Sequence, residues 1–284
     1  MNDPFLAHRN RLLALAYRIL GSWADAEDVV QDAHVSWLDA ETARIDSPRA
    51  WLERVVTNRC LDVLKSARVQ RETYVGPWLP EPVPTDASTL HGEPFDPESL
   101  SLAFLTLLER LSPLERAVYV LAVAFDYTHA EIAAALDRDE AAVRQLLHRA
   151  REHVRAGRPR FAPDREVHAR LLGAFAMACT HGDAAQVASL LASEAVVRSD
   201  GGGRTRAALR ELHGADPCSR FLVGITRKGG APFDVEVRDV NGWPALVGFV
   251  AGKPALVLEI ETDGAQIFTV SMVLNPEKLT QFAS

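Results

Sequence analysis

Apolar residues recur at helical spacing through the first half of the chain and give way to strand-like runs towards its end. Phe5 to Leu20 reads as one amphipathic helix, closed by Gly21. Ser22 caps a second helix, which starts with Asp25, Glu27 and Asp28 and continues through Gln31 and Asp32. Ser47-Pro48 opens a third, with Trp51, Val55, Cys60, Leu61 and Leu64 on its apolar side. Its polar positions are Arg54, Asn58, Arg59, Asp62 and Lys65. Further on, Ser112 with Glu115 and Thr128 with Glu131 form two capping boxes. The run Ala117 to Phe125 between them is the longest apolar stretch; it predicts a buried helix and is too short to span a bilayer. Leu136 to Glu140 makes a turn, after which Val143, Leu146, Leu147, Ala150 and Val154 keep helical spacing.

A short capped helix, a turn and an arginine-rich helix are the layout of a helix-turn-helix. Arg144, His148, Arg151 and Arg155 share the outer face of the last helix, with Gln145 and Arg149 beside them. Such a face is also what a solvated surface helix presents. The preceding capped helix and turn favour DNA, because they place Arg144 and Gln145 early in the helix that enters a groove. Arg and Gln make bidentate contacts to G and A edges, and Arg149, Arg151 and Arg155 suit phosphates.

After Arg165 the period changes. Arg165 to Thr180 predicts a helix with Leu171, Leu172, Phe175 and Ala178 inward, broken at His181-Gly182-Asp183. Asp183 caps a second helix ending near Leu191. Strand-like runs follow at Ala195 to Arg198, Phe233 to Val240, Trp243 to Val250, Pro254 to Glu261 and Ile267 to Leu274. Asn241-Gly242 is a strong hairpin signal. Gly201-Gly202-Gly203 predicts a tight turn; no Lys-Ser/Thr follows, so it is not a phosphate loop. Asp200, Asp234 and Glu259 are candidate general bases, and each could equally be a solvent-facing strand residue.

The formal net charge of −7 is unusual for a DNA binder. Residues 71–99, rich in proline, hold one basic and six acidic residues, so much of the excess is a linker and the fold units are nearly neutral. Weak unaided DNA binding follows, with a larger partner supplying affinity. Three isolated cysteines fit a reducing cytoplasm. The histidines show no metal-ligand spacing, and no cofactor is expected. Arg9, Arg11 and Arg18 interrupt the first apolar segment, which argues against a signal peptide. Asp25, Asp28 and Asp32 share one helix face; they either complement the helix dipole or dock on a basic partner.

These units match a family. Ala24 to Asp32 resembles the core-polymerase-binding helix of bacterial extracytoplasmic-function sigma factors. Ser47 to Lys65 resembles their minus-ten recognition helix, and Leu111 to Val154 is similar to their minus-thirty-five-binding domain. Tyr74 to Pro82, Asp200 to Arg204 and Asn275 to Leu279 resemble motifs of members fused to a SnoaL-like domain, which has the cone-shaped α+β fold of ketosteroid isomerases. Arg204 stands where Lys is usual, Glu277 where Asp is, and Asp137 where Gly is.

The resemblance implies a multidomain chain. Two all-α sigma domains would occupy 1–70 and 100–160, an extended, semi-rigid acidic linker 71–99, and the SnoaL-like domain 164–284. It implies a cytoplasmic initiation factor that is not an enzyme, is a monomer when free and has no membrane partner. Its partners would be RNA polymerase core, at the clamp of the largest subunit, and promoter DNA. Asp25, Glu27, Asp28, Gln31 and Asp32 would bind the core, and Arg54, Asn58 and Arg59 the melted minus-ten strand. Arg144, Gln145, His148, Arg149 and Arg151 would read the minus-thirty-five element. Trp78, Asp200, Gly201, Gly202, Gly203, Arg204, Asn275 and Lys278 would carry regulation by the C-terminal domain. On the residues alone two other classes stay open. A repressor with a ligand domain would need a dimer for its half-sites. A SnoaL-like enzyme with a DNA-binding arm would need a convergent, desolvated carboxylate in its cone.

Overall fold

The computed structural model describes residues 3–85, 100–157, 164–228 and 234–283. The second half of the expected linker and Phe233 lie outside the described residues. The chain divides into two compact units. The first is Met1–Glu72, Ala87–Leu100 and Phe104–Arg158; the second is Thr73–Asp86, Ser101–Ala103 and Pro159–Ser284.

The first unit is helical, with α1 (Pro4–Leu20), α2 (Trp23–Leu38), α3 (Pro48–Glu72), α4 (Leu102–Leu108), α5 (Pro113–Ala124), α6 (His129–Leu136) and α7 (Glu140–Gly157). The first residues of α4 group with the second unit. Local chemistry sets the ends. Asp3 caps α1, and Gly21 closes it in a left-handed conformation, bonding the Tyr17 carbonyl. Both predicted capping boxes are present, at Ser112 with Glu115 and at Thr128 with Glu131. Asp137 ends α6 at φ 51° and ψ 58° and donates to the Ala133 carbonyl, so Asp performs the left-handed turn where Gly is usual.

Helix α1 contacts α2, α3 and α5. Its C-terminal half is therefore buried all round, from Leu12 to Leu20, rather than on one stripe. Arg18 is inside this core, donating to the Ala14 carbonyl at 3.1 Å. Its guanidinium lies 5.5 Å from the Phe125 ring centroid.

The second unit is the α+β domain. Its helices are α8 (Arg165–His181), α9 (Ala184–Leu190) and α10 (Ala215–Lys228). Its strands are β1 (Leu191–Asp200), β2 (Leu212–His213), β3 (Asp234–Val240), β4 (Trp243–Val250), β5 (Lys253–Thr262) and β6 (Ile267–Val273). They form one sheet in the order β2-β1-β6-β5-β4-β3. Asn241-Gly242 makes the β3–β4 hairpin, both residues at positive φ. Helix α10 and strand β2 go beyond the elements the sequence pattern predicts. The helices cover one sheet face, where Phe175, Leu222, Leu258, Ile260, Val270 and Met272 form an apolar core.

Side chains alternate along a strand, so the neighbours of these residues face the other way. On that second face Ala245, Val247, Phe249, Val257 and Val273 pack with Leu79 and Leu102 of the segments flanking the undescribed linker residues, and with Leu279 and Phe282 of the tail. One pairing decides what meets at its rim. Strands β1 and β6 are parallel neighbours with Asp200 opposite Val273. The glycine turn after β1 and the tail after β6 thus emerge side by side, although they lie far apart in sequence.

Candidate functional site

Residues 73–85, expected as a tether, lie against the second face of the sheet. Leu79 to Pro84 are all buried. A proline-rich segment suits this, because Pro80, Pro82 and Pro84 have no N–H to satisfy. Three N–H groups beside them find acceptors. That of Leu79 donates to Asp200 Oδ2 at 2.9 Å and that of Val83 to Asn241 Oδ1 at 2.8 Å. That of Thr85 donates to the Asp239 carbonyl at 2.8 Å. The Asn241 N–H returns a bond to the Val83 carbonyl at 2.9 Å.

Asp200 is the centre of the attachment and is 0% exposed. Its carboxylate accepts from the Tyr74 hydroxyl at 2.5 Å, the Gly202 N–H at 3.1 Å and Lys278 Nζ at 2.7 Å, besides Leu79. Lys278 also donates to the Leu79 carbonyl. Its ammonium lies 4.1 Å from the Trp78 ring centroid and 5.1 Å from that of Tyr74. Asn275 Nδ2 donates to the Tyr74 hydroxyl at 3.1 Å. Burial and the bond to Asp200 push the Tyr74 phenol up, so it stays a donor. Gly202 sits at φ +58°, and a Cβ there would lie 2.4 Å from Asn275 Nδ2. A Cβ on Gly201 would lie 2.2 Å from the Thr205 carbonyl oxygen. These two glycines permit the close approach. Gly203 is exposed, and Arg204 pairs with Glu277 at 3.0 Å on the surface. The structure brings Trp78, Asp200, Gly202, Asn275 and Lys278 together, and adds Tyr74 and Leu79, known from the sequence only as part of the linker motif, and Asn241, known only as a hairpin residue.

On α2, Glu27, Asp28, Gln31 and Asp32 are exposed and Asp25 is half-buried. Val35 and Leu38 are also exposed, at 54% and 68%. Asp28, Gln31, Val35 and Leu38 follow one another at three- and four-residue steps, so acid and apolar surface form one stripe. The signal was available in the sequence, because both apolar residues fall out of phase with buried Val29, Val30, Ala33 and Trp37.

On α3, Arg54, Asn58 and Arg59 are exposed. Arg59 lies 3.5 Å from Asp32. Asn58 Nδ2 donates to the Arg54 carbonyl at 3.0 Å and approaches the Ala135 carbonyl of α6 at 3.4 Å. Glu53, which sequence reasoning missed, is buried beneath them. It pairs with Arg11 at 2.5 Å and Arg49 at 3.3 Å and accepts from the Tyr127 hydroxyl. Trp51 is half-buried, edge-on to Trp37 at 5.6 Å.

On α7, Arg144, Gln145, His148, Arg149 and Arg151 are all exposed, opposite buried Val143, Leu146, Leu147, Ala150 and Val154. Asp139 caps this helix, accepting from the Ala142 N–H at 2.8 Å. Arg149 is 3.2 Å from Glu115. Burial pushes Glu115 up, but the Ser112 hydroxyl and N–H, with Arg149, outweigh it and hold the carboxyl below its usual range. Arg149 is thus partly neutralised, whereas among the described residues Arg144 has only an exposed pair with Glu140 at 3.2 Å.

The three candidate general bases are not brought together. Asp200 is engaged as described, Asp234 is exposed at the start of edge strand β3, and Glu259 faces the linker side of the sheet. Glu259 Oε1 accepts from the Leu102 N–H at 3.1 Å. Burial pushes its carboxyl well up, the Leu102 N–H works against this, and neighbouring Glu261 pushes it further up. A carboxyl raised in the folded state contributes stability below its unfolded pKa, and the contribution is lost as pH rises through the folded value. Glu259→Gln should therefore raise the melting temperature at pH 8 and do so less at pH 5. Thermal unfolding at the two pH values checks this; an equal shift at both contradicts it.

Two family descriptions match the helical parts: sigma-70 region 2 over residues 5–69 and sigma-70 region 4 over residues 101–154. The chain is 36% identical over 291 residues to the ECF RNA polymerase sigma factor SigJ of Mycobacterium tuberculosis strain H37Rv, covering 98% of this chain and 93% of that relative. It is 33% identical over 283 residues to the probable ECF RNA polymerase sigma factor SigI of the same organism, covering 96% and 92%. The crystal structure of M. tuberculosis SigJ matches with a TM-score of 0.76 at 33% identity, over 98% of this chain and 97% of that one.

Proposed function

Because the chain belongs to the extracytoplasmic-function family of RNA polymerase sigma factors, whose relatives are transcription factors and not enzymes, we propose that its SnoaL-like C-terminal domain modulates promoter use by holding the linker. The observation that carries this is the Asp200 carboxylate, which receives Tyr74 and Leu79 from the linker and Lys278 from the tail. A linker fixed at Tyr74 to Thr85 has fewer conformations than a free one, so the reach between the promoter-binding regions is restricted. The proposed divisions follow the expected ones, with sigma domains over 1–70 and 100–160 and the regulatory domain over 164–284. Residues 73–85 are the regulated segment of the linker.

The acidic–apolar stripe of α2 docks on the clamp of the polymerase in this account. Arg54, Asn58 and Arg59 face the melted minus-ten strand, and Arg144, Gln145 and His148 read the minus-thirty-five element. Arg149 and Arg151 hold phosphates. Engaging both elements parts Asn58 from the Ala135 carbonyl, a contact of the kind a partly polar interface gives up at small cost. The free chain acts as a monomer in the cytoplasm. Among the described residues no helix is long and apolar enough to cross a membrane.

Transcription in vitro from a randomised promoter library, with purified core polymerase, tests the assignment of α7. Arg144→Ala should relax preference at one or two base pairs of the upstream element, a loss of roughly 1–3 kcal/mol in discrimination. Arg155→Ala should lower affinity evenly across sequences and flatten the salt dependence. Loss of affinity in both variants with base preference intact would show that Arg144 is a phosphate contact.

A further inference from the structure

The turn after β1 continues into a loop that the attachment of the linker to Asp200 and Lys278, a clamp within the second unit, does not use. Residues 203–210 contain Arg204, Arg206 and Arg210 and no acidic residue, in a chain of net charge −7. Arg204 is engaged by Glu277 at 3.0 Å. Arg206 and Arg210 are exposed, and neither has an ion pair or hydrogen bond among the described residues.

The loop is nevertheless fixed. The Gly201 carbonyl accepts from the Arg204 N–H at 2.9 Å and the Thr205 N–H at 3.0 Å. The Ala208 N–H donates to Ser199 Oγ at 2.7 Å, between the two arginines. Just beyond Arg210, Glu211 is held by Arg198 at 2.6 Å. Two cations are thus presented from an anchored backbone, so little order is lost when they meet a polyanion.

We propose that Arg206 and Arg210 bind the sugar-phosphate backbone of promoter DNA, giving the C-terminal domain its own sequence-independent contact with the template. This rests on the chain being a sigma factor but not on the clamp or on any base-reading residue. Arginine forks match phosphate oxygens bidentately and need no shaped cavity. A protein partner would call for an apolar centre, and among the described residues the large exposed apolar side chains beside the arginines are Leu209 and Val75. Helix α3 ends at Glu72, three residues of sequence before Val75, which packs on Gly203.

The test compares the full chain with Arg206→Ala/Arg210→Ala, each bound to core polymerase, on one promoter between 50 and 200 mM salt. Two lost phosphate contacts should make the log–log salt slope shallower by about 2, so that the unaltered protein loses about twelve-fold more affinity than the variant over this range. Affinity for core polymerase and preference at the minus-thirty-five element should stay the same. An unchanged slope overturns the proposal. Weakened core binding with an unchanged slope also overturns it, and would assign the loop to the polymerase. Loss of base preference in the Arg144→Ala test bears on α7 alone and leaves this outcome independent.

Discussion

Asp200→Ala should destabilise the second unit by roughly 3–5 kcal/mol, the cost of breaking a buried ion pair from one side. The substitution strands the Lys278 ammonium, which is 12% exposed, and removes the acceptor of the Tyr74 hydroxyl and the Leu79 and Gly202 N–H groups. Lys278→Met should cost less. It leaves the Asp200 carboxylate with three donors and keeps an apolar stem under Trp78. Denaturant unfolding of the full chain checks the order. A loss below about 1 kcal/mol for Asp200→Ala would place it in the range of ordinary surface changes and remove the clamp from the account.

Reversing Asp28 and Asp32 to Lys should weaken binding to core polymerase by roughly 30-fold or more, the equivalent of about 2 kcal/mol, because truncating or reversing desolvated charge pairs acts at this scale. Both carboxylates are exposed in the free chain, and Asp32 gives up only a solvent-screened pair with Arg59. Stability should therefore change little while affinity falls. Titration of labelled core polymerase with the variant measures this. Retained affinity with an intact fold would mean that the acids serve the helix dipole, and that Val35 and Leu38 need another explanation.

Much of this was legible in the sequence where the determinants are local. Capping boxes at Ser112 and Thr128, Gly21 after α1 and the Asn241-Gly242 hairpin each depend on residues within a few positions, and each is found as read. The exposed face of α7 followed from spacing alone. What was not legible depends on distant partners. Nothing near Glu53 marks it as buried, since its partners include Arg11 and Tyr127. His168 is buried on Trp243 and bonded to the Pro244 carbonyl at 3.1 Å, which its own helix does not reveal. The linker was read as an extended, solvated spacer, and the burial of residues 79–84 was not foreseen. Alternating prolines look like a solvated spacer, yet they also remove the donors whose burial would be costly. Asp200, Asn275 and Lys278 were singled out by resemblance, and the parallel pairing of β1 with β6 is the physical reason they meet. Sequence separation hid that pairing.

As proposed, the clamp at Asp200 and Lys278 limits which promoters the factor can use. Transcription in vitro from templates that differ only in the distance between the two elements, with core polymerase and either the full chain or Lys278→Met, decides this. The expected result is a narrow spacing optimum for the full chain and a broadened or shifted optimum for Lys278→Met, at equal affinity for the core. The same spacing profile and the same yield from both proteins would contradict it.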